Sequence, residues 1–181
     1  MRTFTRCFAI SIGMFLLGGG CQSAHVSKPI AAKLYANDAN AQMEFWHTLA
    51  DQKVTSNDEA FHGLLLYLDQ KDPATNYADR VKALKGRGLI PAGFDRPADE
   101  AVTRGTLAVA FCKILKVRGG VMMMVTGDHP RYATRELQYM GVFPLSSPQQ
   151  TFSGTEYVGV IGKLDDVQNG VPAPVTTRLK E

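Results

Sequence analysis

The chain predicts an all-α domain in which two or three helical hairpins of one plan pack around a single core. Two stretches carry the prediction. One starts at residue 77, "YADRVKALKGRGLIPAGFDRPADEAVTRGTLAVAFCKIL", and the other at residue 132, "YATRELQYMGVFPLSSPQQTFSGTEYVGVIGKL". Each opens on tyrosine and alanine and carries a leucine four residues before a glycine, which two apolar residues and a proline follow. Each continues through a polar loop to Thr or Ser and a second apolar run, so the similarity is an internal repeat. Gly88 and Gly141 correspond at a separation of 53 residues, Val102 and Phe152 at 50, so the loop shortens between copies.

Before the repeats comes a targeting segment. "MRTFTRCFAISIGMFLLGGGC" places Arg2 and Arg6 ahead of an apolar run from Cys7 to Leu17, then three glycines and Cys21. The run is shorter than the roughly 20 residues a membrane span needs, and small residues suit a peptidase, so residues 1–20 are predicted to be a cleaved signal peptide. The end of this segment resembles a bacterial lipobox. The resemblance implies that Cys21 becomes acylated and forms the new N-terminus, although Leu17 stands four residues before the cysteine rather than three. Secretion with ordinary cleavage nearby is the other reading. Gln22, where an aspartate would favour inner-membrane retention, implies the outer membrane. Two or three acyl chains, at about 0.8 kcal/mol per buried methylene, anchor a protein without a spanning helix. Residues 21–40 are read as a lipidated N-terminus and spacer, with Ile30 to Tyr35 able to begin a helix.

Cleavage leaves 161 of 181 residues, enough for one domain with a sizeable core. Two of the 20 basic residues leave with the signal, so 18 basic side chains face 17 acidic ones. This near neutrality excludes nucleic acid, which demands concentrated positive charge. With Cys7 removed and Cys21 acylated, Cys112 has no disulfide partner; inside an apolar helical pattern it reads as a small buried hydrophobe.

The helical stretches follow from local chemistry. In the middle unit, residues 77–115, Val81 and Leu84 recur at helical spacing, Gly88 supplies a helix-ending conformation, and Pro91 blocks continuation. Its second helix opens at Thr103, an N-cap worth about 1 kcal/mol, with Leu107, Ala110, Phe111, Ile114 and Leu115 behind it. In the last unit, residues 130–164, Ser153 is the corresponding cap and Glu156 stands at capping-box spacing, ahead of Val158, Ile161 and Leu164. A weaker first unit, residues 41–70, carries Phe45, Trp46 and Leu49, then Val54, Thr55 and a helix with Phe61, Leu64, Leu65 and Leu68. It lacks the glycine and proline. Residues 165–181, which carry Pro, Gly and little apolar content, are read as a flexible tail.

These units resemble S-layer homology (SLH) modules. The features that match are the aromatic–alanine pair, the helix ending in Gly plus two apolar residues, the irregular loop, and a second helix announced by a motif close to Ile-Thr-Arg-Ala-Glu. Val102-Thr103-Arg104-Gly105, with "FDRPADEA" before it, is the nearest match, and "DHPRYA" at 128–133 is similar to the module opening. The resemblance covers residues 41–164. It implies three modules around a pseudo-threefold axis and attachment to cell-wall polysaccharide through grooves between them. It also implies a gripping role for Arg104, whose guanidinium suits an acidic sugar substituent beside a helix N-terminus. Such a contact contributes roughly 1.5–3 kcal/mol.

Aligned on Thr55, the first unit has Ser56 and the last has Gly154 where the middle unit has Arg104, so at most one groove keeps its arginine. Glu156 keeps the motif glutamate, while Thr106 replaces it in the middle unit. The candidate ligand-binding residues are Arg104, Thr103, Glu156 and Trp46. The other reading makes the repeats a packing scaffold for an envelope protein partner, with Arg104 solvated at the surface.

Nothing in the sequence recommends catalysis, a cofactor or a metal. His25, His47, His62 and His129 fit no compact ligand spacing. Consecutive Met122, Met123 and Met124 point in different directions on a helix or strand and cannot converge on one soft ion. No phosphate loop or nucleophile elbow occurs. The sequence therefore predicts a non-catalytic envelope lipoprotein.

Overall fold

The computed structural model describes residues 23–117 and 129–171; the stretch read as a signal peptide, Cys21, Met122 to Met124 and the chain from residue 172 onward lie outside the described residues. The protein is all-helical. Its helices among the described residues are α1 (Ala39–Ala50), α2 (Asn57–Asp69), α3 (Tyr77–Gly86), α4 (Arg104–Ile114), α5 (Pro130–Tyr139) and α6 (Gly154–Gln168), preceded by one 3-10 turn (Ala32–Tyr35). Among the described residues there is no strand, only isolated bridges between extended segments, and no helix is long and apolar enough to cross a membrane.

Each helix starts where a polar side chain takes up a free backbone amide. Asp38, Ser56, Asn76, Thr103, His129 and Ser153 are the caps. Ser56 with Glu59 and Ser153 with Glu156 form complete capping boxes. The first unit is thereby corrected by one residue: its cap is Ser56, not Thr55. Thr55 instead matches Val102 and Phe152, all three buried, and Asn57 takes the place of Arg104.

The helix ends follow the expected glycines. Gly88 has φ +66° and Gly141 φ +73°. The amide of Leu89 donates to Leu84 O and that of Val142 to Leu137 O, both at 2.9 Å, so each end closes as a Schellman motif. The apolar residues after each glycine, Leu89 and Ile90, then Val142 and Phe143, are thereby turned into the core.

Packing departs from the expected hairpins. The helices in most extensive contact are α4 with α5, α1 with α6, and α2 with α3, so each second helix lies against the first helix of another unit. Phe61 stacks on Tyr77 across α2 and α3, with centroids 6.0 Å apart, and Trp46 stacks on Tyr157 across α1 and α6 at 6.4 Å. The end of α1 and the start of α6 approach each other tightly. A Cβ on Gly154 would lie 1.5 Å from Leu49 O, so no side chain fits there. One continuous core results, with Phe45, Leu49, Phe61, Leu64, Phe111 and Tyr157 at its centre.

The ends of the chain also differ from expectation. The stretch read as a spacer is folded onto the domain from its first described residues. Val26 N donates to Asp99 O at 2.9 Å and Ala101 N to Ala24 O at 2.8 Å, with a bridge between His25 and Glu100. Ile30 is buried, its amide reaching Glu59 at 3.3 Å, and Tyr35 packs on the core. Backbone pairing and two apolar anchors hold an otherwise polar arm. At the other end, α6 continues to Gln168, past the expected start of the tail at residue 165.

Candidate functional site

The starts of α2, α4 and α6 meet at one place through the extended segments that precede them. The first amide of each helix has no partner within its own helix, and each finds one in the next unit. Asn57 N donates to Glu100 O at 2.8 Å, Arg104 N to Gln150 O at 2.7 Å, and Gly154 N to Gln52 O at 2.9 Å. The relation runs from the first unit to the second, the second to the third, and the third back to the first. Inside this ring Thr55 N donates to Phe152 O and Val102 N to Thr55 O, while bridges join Ser56 to Ala101 and Thr103 to Thr151.

The side chains at the first helical positions reinforce the ring. Asn57 donates through Nδ2 to Pro97 O at 2.9 Å. Arg104 is 6 % exposed; its Nη2 donates to Glu156 Oε1 at 2.7 Å and its Nε to Thr151 O at 3.3 Å, with the guanidinium 5.0 Å over the Phe152 ring. Glu156 also accepts from Ser153 N at 3.0 Å as part of its capping box. Burial pushes the Glu156 carboxyl up, but the bonds from Ser153 and Arg104 outweigh it and hold it below the usual carboxylate range.

Arg104 is thus neither solvated nor free at the helix start. The structure brings Arg104 and Glu156 together across the unit boundary and sets Thr103 beside Arg104, where it caps α4 by accepting from Thr106 N at 3.3 Å. Trp46 lies on α1 against Phe45 and Tyr157, and among the described residues no hydrogen bond or ring contact joins it to the other three.

The exposed polar groups near the ring come from elsewhere. An open groove of about 660 Å³ is lined by Ser23, His25, Asp95, Arg96, Pro97 and Glu100. Arg96 is more than half exposed and pairs at 2.7 Å with the nearly buried Glu100, while His25 meets Asp99 at 3.1 Å. Its mixture of charges suits polar, hydroxyl-rich or zwitterionic groups better than a purely anionic one.

Sequence reasoning missed a second polar cluster. His62 Nδ1 lies 2.6 Å from Asp72 Oδ2, which also accepts from Arg80 Nε at 2.5 Å; Arg80 Nη1 reaches Asp58 at 2.7 Å. The side chains of His62 and Asp72 are fully buried. Burial favours the neutral Asp72 carboxyl, yet the bonds from His62, Arg80 and the Ala74 amide hold it below the usual carboxylate range. Among the described residues, His62 Nε2 has no hydrogen-bond partner. Its ring stands edge to face with Phe45 and beside Tyr35, each centroid 4.6 Å away. The cluster is closed in by aromatic rings and reads as internal structure. Among the described residues, no group of three or more metal-ligating side chains converges.

Comparison with protein-family models, with curated proteins and with solved structures finds no match.

Proposed function

We propose that the chain is a non-catalytic envelope lipoprotein whose three helical units form an SLH-like module around a pseudo-threefold axis and attach to wall or envelope polysaccharide. The observation that carries this reading is the ring at the helix starts, in which Asn57, Arg104 and Gly154 each donate their backbone amide to the next unit in cyclic order. A ring of this kind suits a module that presents grooves between successive units. Acylated Cys21 tethers it to the envelope, at the outer membrane.

The burial of Arg104 favours a second reading, an envelope scaffold that binds a protein partner and no glycan. An acidic sugar substituent would have to displace Glu156 from the guanidinium, exchanging one charge-assisted bond for another with little net gain. Glycan affinity in this module therefore rests on exposed groups of the grooves between units rather than on Arg104, which with Glu156 ties the starts of α4 and α6 together.

Retention on purified sacculi tests the two readings. Glycan attachment predicts that wild type co-sediments with polysaccharide-bearing sacculi and is lost from stripped ones, and that Arg104→Ala acts only through stability. Absence of retention on both preparations refutes glycan attachment and leaves the scaffold reading. Labelled palmitate that is still incorporated after Cys21→Ser rejects the lipid anchor.

A further inference from the structure

The folded arm fixes where a lipid anchor must lie. Ser23 is already part of the domain surface, in the groove beside Asp95 and Arg96, and Ala24 and Val26 pair with Ala101 and Asp99. Only two residue steps separate Cys21 from Ser23, a reach of at most about 7 Å. If Cys21 is acylated, as the proposed function holds, there is no spacer long enough to let the domain turn freely.

From this we infer that the face formed by residues 23–28 and 94–100 lies directly against the membrane, in contact with zwitterionic phospholipid headgroups. Its chemistry fits that partner. Arg96 and Lys28 present cations to the phosphate; Asp95 and Asp99 present carboxylates to the ammonium; and all four are exposed. A face of one sign would instead repel one half of such a headgroup.

The inference also orients the molecule. α2 and α6 run side by side in the same direction, since Tyr157 bonds Ala60 O near their starts and Tyr67 bonds Gln168 near their ends. The ring end therefore points toward the membrane. The end of α6 points away from it, Asp166 standing about 18 Å along the helix from Gly154 at 1.5 Å per residue.

The test uses the full-length protein purified with its native N-terminus and reconstituted into phosphatidylethanolamine–phosphatidylcholine vesicles doped with a headgroup-nitroxide lipid. Mass spectrometry of the N-terminal peptide first reports whether Cys21 is acylated. A fluorophore is then attached at Asp95→Cys or at Asp166→Cys, both exposed positions. The expected result is several-fold stronger quenching at 95 than at 166, together with slowed amide exchange of residues 94–100 in wild type on vesicles. Acylated protein with equal quenching at both positions, or stronger quenching at 166, overturns the membrane-facing surface and leaves the lipoprotein reading intact. An unmodified Cys21 overturns both.

Discussion

The guanidinium of Arg104 and the carboxylate of Glu156 meet at 2.7 Å across the boundary between the second and third units. One residue opens α4 and the other closes the capping box of α6, so a single ion pair ties two helix starts together. The arginine side chain is 7 % exposed and the glutamate 45 %, which places the pair between a buried bridge and a surface one. Arg104→Ala removes this bond, the bond to Thr151 O and the cover over Phe152. The expected loss is about 2 kcal/mol, or a fall in Tm of about 4–8 °C. Because Glu156 titrates below its ordinary 4.5, the pair contributes above that pH and is lost as pH falls through the lower, folded-state value. The gap between the urea midpoints of wild type and Arg104→Ala should therefore narrow from pH 7 to acid without closing, since the contacts to Thr151 and Phe152 do not titrate, and a double-mutant cycle with Glu156→Gln should return a coupling of about 1 kcal/mol.

Two glycines of α6 should respond oppositely to one substitution. At Gly154 a Cβ would fall 1.5 Å from Leu49 O, a backbone atom that cannot step aside. Gly154→Ala is expected to cost at least about 3 kcal/mol by forcing α6 away from α1. At Gly159 a Cβ meets nothing within 4 Å, so Gly159→Ala should stabilise the exposed helix surface by about 0.5–1 kcal/mol. Thermal unfolding of the two variants checks both signs.

The end of α3 gives a similar pair two residues apart. Gly86 is the last helical residue, with open space where a methyl group would stand, whereas Gly88 holds φ +66°. Gly86→Ala is expected to be neutral or to stabilise by a few tenths of a kcal/mol, about what a helix terminus allows. Gly88→Ala should cost about 1 kcal/mol, because an L side chain is strained in the left-handed region. Denaturant midpoints distinguish this backbone effect from packing, since neither position places a new atom within 4 Å of a neighbour.

The units were legible because their punctuation is local. Thr103 and Ser153 as caps, Gly88 and Gly141 as stops, and the apolar stripes between them depend on neighbours within a few residues, and the helices formed at those positions. In the first unit Thr55 and Ser56 compete as adjacent caps. The Ser56-x-x-Glu59 spacing was the signal that decides between them, and the structure uses it. The partner of Arg104 was not legible, because the glutamate that holds it lies 52 residues away and meets it only through the ring. The N-terminal arm was hidden for a different reason: its composition is that of a linker, and backbone bonds to residues 99–101 tie it down, which almost any sequence can make. His62 carried only one faint signal, a polar residue inside the run from Phe61 to Leu66, a run wholly buried in the structure.

Asp72 is the centre on which that buried histidine depends. Its carboxylate accepts from His62 and Arg80 through one oxygen and from the Ala74 amide through the other, at 2.9 Å. The backbone of Asp72 is in turn clasped by Asn37, which accepts from its amide at 2.7 Å and donates to its carbonyl at 2.8 Å. The cluster therefore joins the N-terminal arm, α2 and α3. In Asp72→Asn one of the two acceptor oxygens becomes an amide N–H set among the donors of His62, Arg80 and the Ala74 amide, while Arg80 keeps only Asp58 as its countercharge; a loss of about 3 kcal/mol is expected. The sign of the pH dependence follows from the lowered Asp72 value. Its contribution is full above the ordinary 3.8 and disappears as pH falls through the folded value beneath it. Wild type should thus lose stability on acidification from pH 5 toward 2 more steeply than Asp72→Asn, as read from urea midpoints across that range. Parallel slopes for the two proteins would show that the carboxylate is not what couples His62 and Arg80.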